Sequence, residues 1–535
     1  MKINNITKYL LIVIVLLAFF LRVYQVDAIP PAISWDEAAV GVNAYSMASY
    51  AHDEWGKFLP LVFKSFEDDK NPVHIYSTAV FVKILGLSNL SVRLPAVFFG
   101  TLNVLLIFFL GRKLFNSKWV GLTAAFFLSI SPYALQFSRF NHEANFALFF
   151  FMLGLILFYR GLEKRNFLLS LSLLSFGTSL LSYHSAKAVV PPILLLLFLF
   201  YFKKLLKVKN YFILGLFFLG LIGLVFILNP ALSGAARIQQ TAIPQNIIYQ
   251  TDFYKLTKNE TLGWLQVFGN RYLTHFSETY LFISGDRIAR HSIQTVGEFY
   301  KIDAIFLLLG LLLIIKQRKK EYFLLLAWAL LAPIPAAASG GSGEVPHAAR
   351  AMFMMGSWHL VAAGGFIFGF SLLRKKQFQI IVSCLLILTL GFEFKSYLGN
   401  YYGTYSAKYA TEWQYGMKQI VEYVHDHKNY SQVYMTDERH QPYIFFLYYL
   451  KTPLPDYLNS VQYNDSISRS YNLVLGFEKY YFGTWDPIES MPNGGVLYIV
   501  TPSQYDGLRY KSAFDIKKIV KYPNGENAFF LVSAF

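Results

Sequence analysis

The sequence contains one cysteine, Cys384, among its 535 residues. That excludes a disulfide framework and a cysteine metal centre. Cys384 lies inside an apolar run and reads as lipid-buried packing. Charge is scarce as well: 15% of residues are Asp, Glu, Lys or Arg, against about 25% in soluble domains. No Walker or Rossmann glycine pattern is present, so no soluble nucleotide site is expected. Internal repeats and low-complexity tracts are also missing. What is abundant is apolar surface, with 55% of residues hydrophobic and 18% aromatic. This composition excludes an ordinary soluble domain and points to a polytopic membrane protein.

Apolar spans are expected near 9–26, 91–110, 119–136, 144–160, 166–184, 188–202, 211–230, 302–315, 322–338, 351–373 and 378–396, about 11 in all within a range of 10–13. The first, "YLLIVIVLLAFFL" from Tyr9, is followed by no small-residue cleavage site and so reads as a transmembrane helix rather than a signal peptide. The net charge of +16 would suggest nucleic acid in a soluble protein. With the N-terminus in the cytoplasm, however, the alternation places 19 of the 48 basic residues and two acids, Glu163 and Glu321, on the inner face. The other 29 basic and 30 acidic residues nearly cancel. The whole excess sits on one side, as the positive-inside rule requires. No nucleic acid partner is implied, and the expected location is the plasma membrane.

This topology leaves three large external pieces: loops 27–90 and 231–300, and a tail from 397. Residues 1–396 would form the membrane domain and 397–535 a small external α/β domain able to fold alone. In the first loop, "DEAAVGVNAYSMASYA" spaces its apolar residues like a helix lying in the membrane interface. The stretch "NPVHIYSTAVFVKILGL", broken by His74 and Lys83, reads as re-entrant or interfacial. In the tail, "EWQYGMKQIVEYVHDH" has the period of an amphipathic helix. "QVYMT" and "VLYIV" read as buried strands, and Asn524-Gly525 as the turn of a hairpin.

Against this background the stretch "ISWDEAAVGVNAYSM" sets two adjacent acids, Asp36 and Glu37, just beyond the first span. A helix cap at Ser34 or Asp36 is the bland reading; an acid pair at an active site is the sharp one. More polar residues collect on the same side. The first loop adds Asp69 and Lys70, and "SRFNHEANF" adds His142 and Glu143. "HFSETYLFISGDRIARH" adds His275, Asp286, Arg287 and Arg290, and "SGGSGEVPHAAR" adds His347 and Arg350. Group transfer from a phosphate carrier needs a base for the attacking hydroxyl and cations for the leaving phosphate. With a lipid carrier, both must lie at the membrane interface, where this alternation places these residues. Asp69 and His275 are ligand types that could meet at a metal, although two residues do not make a site.

The "DE" after the first span, the "DKNP" element, "VRLPAVFFG", "YLFISGDRIARH" and "PHAAR" together resemble the GT-C fold, glycosyltransferase-39-like enzymes. That group includes protein O-mannosyltransferases and bacterial aminoarabinose transferases. The resemblance runs through roughly residues 1–400. It implies a GT-C membrane enzyme that passes a sugar from a polyprenyl phosphate to an external lipid, glycan or protein with inversion; the sequence itself requires no cofactor and offers no support for a divalent metal. By the same resemblance Asp36 is the base, with Glu37 and Glu143 as further catalytic acids. Lys70, Arg287, Arg290 and Arg350 would hold the donor phosphate, and His142, Asp286 and His347 are candidates for substrate binding. The family's lysine-proline-proline reads Lys70-Asn71-Pro72 here, and its second acid, often aspartate, is Glu143. The rival reading is a transporter or flippase of lipid-linked sugars. It would place its charges within the spans, near the midplane.

Overall fold

The computed structural model describes residues 4–66, 69–234, 241–340, 344–439, 441–464, 473–485 and 492–534. Ser342 of the "SGGSG" turn lies outside the described residues. The chain forms two units. One comprises Met1–Tyr24 with Ala96–Tyr401, the other Gln25–Pro95 with Tyr402–Phe535.

The chain is a multi-span membrane protein. Among the described residues, eight helices are long and apolar enough to cross a bilayer: Asn5–Val23, Asn89–Phe115, Glu143–Lys164, Ala186–Leu206, Lys209–Leu228, Lys320–Ala337, Met354–Leu372 and Lys376–Gly403. The other three expected spans coincide with shorter helices. Leu168–Leu180 and Asp303–Gln317 replace the runs at 166–184 and 302–315. The run at 119–136 divides into Lys118–Ile130 and Pro132–Phe137, because Ser131 caps the second helix and Pro132 can begin a helix but not continue one. Cys384 is exposed from the protein on a helix whose apolar window is unburied by the chain itself, as a lipid-facing residue would be.

Inside the first unit, close helix approach depends on small residues. A Cβ at Gly310 would collide with the Val361 carbonyl, and one at Gly365 with that of Phe306. Buried polar groups are paired between helices. The Asn103 amide donates to Asn145 Oδ1 at 2.9 Å, and that of Asn145 to the Ala96 carbonyl at 3.0 Å. Arg22 is fully buried, and its guanidinium donates to the carbonyls of Ala18, Leu128 and Ser129 at 3.0–3.1 Å.

The second unit carries a seven-stranded sheet, β1 (Gln432–Thr436), β2 (Gln462–Tyr463), β3 (Val474–Phe477), β4 (Tyr480–Gly483), β5 (Val496–Val500), β6 (Phe514–Lys521) and β7 (Asn527–Ala534), in the order β2-β3-β4-β1-β5-β7-β6. The two strands read from the sequence, β1 and β5, lie side by side and parallel. The β6–β7 hairpin turns at Gly525, whose φ of 89° suits a residue without Cβ. Helix Met417–Asp426 buries Met417, Ile420, Val421 and Val424, the stripe its periodicity implied.

The tail does not own this core. Residues of Gln25–Pro95, among them Ile33, Val40, Ala44, Ile75 and Val92, join Ile420, Val433, Phe446 and Leu497 in one buried cluster. The observed division therefore differs from a split at 396. It also alters the reading of "DEAAVGVNAYSMASYA": helix Trp35–Tyr50 is buried on nearly every side from Glu37 to Met47, so it is a core helix and not a one-faced interfacial one. Gly41 lets it approach closely, since a Cβ there would strike the Tyr448 ring.

Glu54 is buried in this unit and accepts from the Asn43 amide at 3.1 Å. Burial pushes its carboxyl up to about 8, with Asp53 adding to the shift and the Asn43 bond opposing it. An acid with a raised pKa binds its proton better in the folded state. Its stabilising contribution is full below the unfolded value, declines as pH rises, and is lost above about 8. Melting of the purified protein should therefore show Glu54→Gln gaining on wild type as pH rises from 5 to 9. Parallel melting curves across that range would show that Glu54 does not titrate there.

Candidate active site

Helix Trp35–Tyr50 begins with a capping box. The Ser34 hydroxyl accepts from the Glu37 N–H at 3.3 Å, and Glu37 Oε2 accepts from the Ser34 N–H at 3.2 Å. Consecutive residues on a helix point about 100° apart, so the two acids cannot share an environment. Glu37 turns inward and is fully buried. Its Oε1 and Oε2 accept from Arg93 Nε and Nη2 at 3.0 and 3.2 Å. The rest of the guanidinium donates to the carbonyls of Val26 and Pro30 at 2.9 Å and Ala32 at 2.5 Å. Both carboxylate oxygens of Glu37 are thus committed. The sequence reading sets this acid beside Asp36 as catalytic, whereas in the structure it is buried in an ion pair with Arg93. The residue that sequence reasoning missed is Arg93, whose signal was a lone charge at the head of an apolar helix.

Asp36 turns the other way, with its side chain 39% exposed, and its Oδ1 lies 3.1 Å from Lys70 Nζ. Lys70 is held by main-chain pairing: its N–H donates to the Phe63 carbonyl at 2.8 Å and its carbonyl accepts from the Phe63 N–H at 3.2 Å. Asn71 then acts as N-cap of helix Pro72–Leu85 through its extended backbone, without a side-chain cap bond. Pro72 takes the first helical position, where a missing N–H is harmless. Two residues singled out separately, 34 positions apart, form one ion pair. Asp69, half-buried, precedes Lys70.

A second polar cluster lies in the other unit. Asp286 is buried and accepts three hydrogen bonds. Its Oδ1 takes the Ile288 N–H at 2.8 Å, and its Oδ2 takes His291 Nδ1 at 2.8 Å and the Ala348 N–H at 2.6 Å. The ring centroid of His291 lies 4.9 Å from that of His347 and 6.1 Å from that of His142. His347 accepts the Arg350 N–H at Nδ1 (3.3 Å), and its own N–H donates to His275 Nε2 at 3.2 Å. Burial holds the His347 imidazole well below the usual range, helped by Arg350 and the neighbouring histidines, and burial lowers His275 to about 4. His142 caps helix Glu143–Lys164 with its Nδ1 accepting from the Ala144 N–H at 3.2 Å, and Glu143, half-buried, opens that helix.

Of the metal pair considered from sequence, Asp69 belongs to one unit and His275 to the other. Asp286, His291 and His347 are the ligand types that do converge, with ligand atoms within 4.8 Å of one another. Hydrogen bonds already account for that approach. Both Asp286 oxygens are engaged by main-chain N–H groups, and Arg350 next to His347 disfavours a cation there. Of the expected phosphate-binding arginines, Arg287 is exposed and Arg290 half-buried, its carbonyl accepting from the Gln136 amide at 2.7 Å. Arg350 pairs with Glu344 at 3.1 Å.

The model of the family described as dolichyl-phosphate-mannose-protein mannosyltransferase matches residues 69–228. No curated protein matches the chain by sequence. Among solved structures, ArnT from Cupriavidus metallidurans in the apo state is similar with a TM-score of 0.57 at 13% identity, over 99% of this chain and 98% of that one. The same protein bound to undecaprenyl phosphate gives 0.54 at 13% identity, over 98% and 97%. The Archaeoglobus fulgidus oligosaccharyltransferase tethered to an acceptor peptide gives 0.53 at 12% identity, over 98% of this chain and 74% of that one. The chain thus has the GT-C fold of these membrane glycosyltransferases, as the sequence resemblance implied.

Cutting one side of a buried ion pair leaves an uncompensated charge and costs about 3–5 kcal/mol. Glu37→Leu should accordingly lower the melting temperature and expression sharply, and Arg93→Met alone should do the same. The double variant should recover part of the loss. Equal damage from the double variant and the sum of the singles would mean that Glu37 and Arg93 act independently.

Proposed function

We propose that this GT-C membrane protein transfers a sugar from a polyprenyl-phosphate donor to an acceptor outside the cytoplasm, by a single inverting displacement. The observation that carries the reading is the Asp36–Lys70 pair at 3.1 Å at the head of a helix, with Asp36 partly open to solvent and Lys70 largely covered. The acceptor hydroxyl attacks the anomeric carbon. The bond from that carbon to the phosphate oxygen breaks as the new glycosidic bond forms, and polyprenyl phosphate leaves. Asp36 takes the hydroxyl proton, and Lys70 offsets the charge on the phosphate. The match to a family named for dolichyl-phosphate mannose, and the likeness to ArnT bound to undecaprenyl phosphate, support a lipid-phosphate carrier. A donor of that kind explains why the chain can act where soluble nucleotide sugars are absent. The one-sided excess of Lys and Arg supports a plasma-membrane protein with a cytoplasmic N-terminus and Asp36 outside.

Within this reading Glu37 positions Asp36 and does not itself touch the proton. The polar cluster of Asp286, His291, His347 and His142 is a second region open to substrate contacts, with Arg287, Arg290, Arg350 and Glu143 beside it in the chain.

Asp36→Asn keeps shape and removes basicity. In a strain lacking the gene, wild type should restore the sugar-modified lipid, glycan or protein detected by mass spectrometry, and Asp36→Asn should not. The rate loss expected for a general base is about 10²–10⁴-fold, with binding of undecaprenyl phosphate retained. Near-normal turnover would return Asp36 to a purely structural position in the first helical turn.

Lys70→Met keeps the stem and removes the charge. It should weaken binding of undecaprenyl phosphate by about 10–100-fold, the worth of a charge-assisted hydrogen bond, and slow transfer as well. Unchanged affinity in a lipid-binding assay would take the phosphate away from Lys70.

A further inference from the structure

At the far end of helix Glu143–Lys164 from His142, the first unit encloses a cavity of about 240 Å³. A helix of 22 residues is about 33 Å long, roughly the thickness of the hydrocarbon core. The cavity is therefore separate from the polar cluster around His142. Arg112, Lys113, Lys118 and Arg160 line it against a single acid, Glu163, which pairs with Lys113. Thr7 and Asn116 add neutral polar groups, and Phe109, Ile156 and Tyr159 complete the wall. Arg160 sits over the Phe109 ring with its Cζ 4.9 Å from the centroid, and Lys113 Nζ lies 5.4 Å from that of Tyr159.

Two ordinary explanations cover part of this. Cations favour helix C-termini, and Arg112, Lys113 and Arg160 lie near the ends of helices Asn89–Phe115 and Glu143–Lys164. The positive-inside rule favours cations on this face. Neither explains why they ring a concave space with both polar and apolar lining, nor why Lys118 joins them from the first turn of helix Lys118–Ile130, where the helix dipole disfavours a cation. That dipole and the unpaired N–H groups of a helix start favour an anion instead.

We infer that this cavity binds the phosphate headgroup of an anionic membrane lipid, from the leaflet opposite to Asp36 in the proposed topology. The guanidinium groups of Arg112 and Arg160 offer bidentate contacts to phosphate oxygens, and Lys113 and Lys118 add point charge. The lipid is favoured over free phosphate because the cavity opens at the ends of apolar membrane helices. There Phe109, Ile156 and Tyr159 can take the glycerol and the first carbons of the acyl chains. Its role is a bound structural lipid at a junction of four helices, Asn5–Val23 included, and it does not rest on the proposed transferase chemistry.

The test is native mass spectrometry of the purified full chain in detergent, titrated with phosphatidylglycerol or phosphatidylcholine. Wild type should retain phosphatidylglycerol with at least about five-fold preference. Each cation removed should cost roughly five-fold, so Arg112→Gln with Arg160→Gln should lose about 25-fold. Lys118→Gln alone, a milder change, should lose about five-fold, which keeps the test readable if the double variant fails to fold. Lys203→Gln with Lys204→Gln, at the end of helix Ala186–Leu206, should change little. The proposal is overturned by equal retention of the two lipids, or by equal loss in the Lys203/Lys204 control. Displacement of phosphatidylglycerol by millimolar glycerol phosphate or inorganic phosphate would likewise overturn it, as a soluble anion site.

Discussion

The guanidinium of Arg93 is the constraint on which the second unit depends. All five of its N–H donors are spent: three on the carbonyls of Val26, Pro30 and Ala32 and two on the Glu37 carboxylate. A buried cation is tolerable only when it is paired and fully hydrogen-bonded. Here the acceptors all come from one short segment, so satisfying Arg93 requires residues 26–37 to wrap around it. The same contacts fix where helix Trp35–Tyr50 begins, because Glu37 is also the third residue of its capping box. The ring of Trp413 lies 5.9 Å from the same guanidinium and closes its apolar side.

The chemical consequence is a division of labour between two neighbouring acids. Glu37 is consumed by structure, and Asp36 is thereby aimed outward at Lys70 with its carboxylate partly open. In the proposed mechanism a base must be held firmly and yet be reachable, and separating the two demands onto adjacent residues meets both. Lys70 is anchored in the same spirit, by main-chain pairing with Phe63 and by the helix that Pro72 starts immediately afterwards.

The other polar centre is organised differently. Asp286 is held by two main-chain N–H groups and orients His291 through Nδ1; the His347 ring accepts the Arg350 N–H, and the main-chain N–H of His347 donates to His275. No loop motif announced this arrangement. "SGDRIARH" and "PHAAR" read as sources of cations for a phosphate and, through Asp286 and His347, of substrate contacts. Folding instead joined the acid of one to histidines of both, and left Arg287 exposed and Arg350 paired with Glu344.

The sequence by itself determined the membrane character and the positions of the long apolar helices, β1, β5 and the β6–β7 hairpin. Each of these is written in local composition: long apolar runs have one stable solution in lipid, a short β-branched and aromatic run marks a buried strand, and an Asn-Gly step marks a turn. Only the tertiary structure decided that Glu37 belongs to Arg93, that the first loop shares its core with the tail, and that helix Trp35–Tyr50 is buried on nearly every side. Those outcomes depend on partners tens to hundreds of residues away. A helical period says that a helix has faces but not what will cover them, and an acid beside an acid does not say which one a distant arginine will claim.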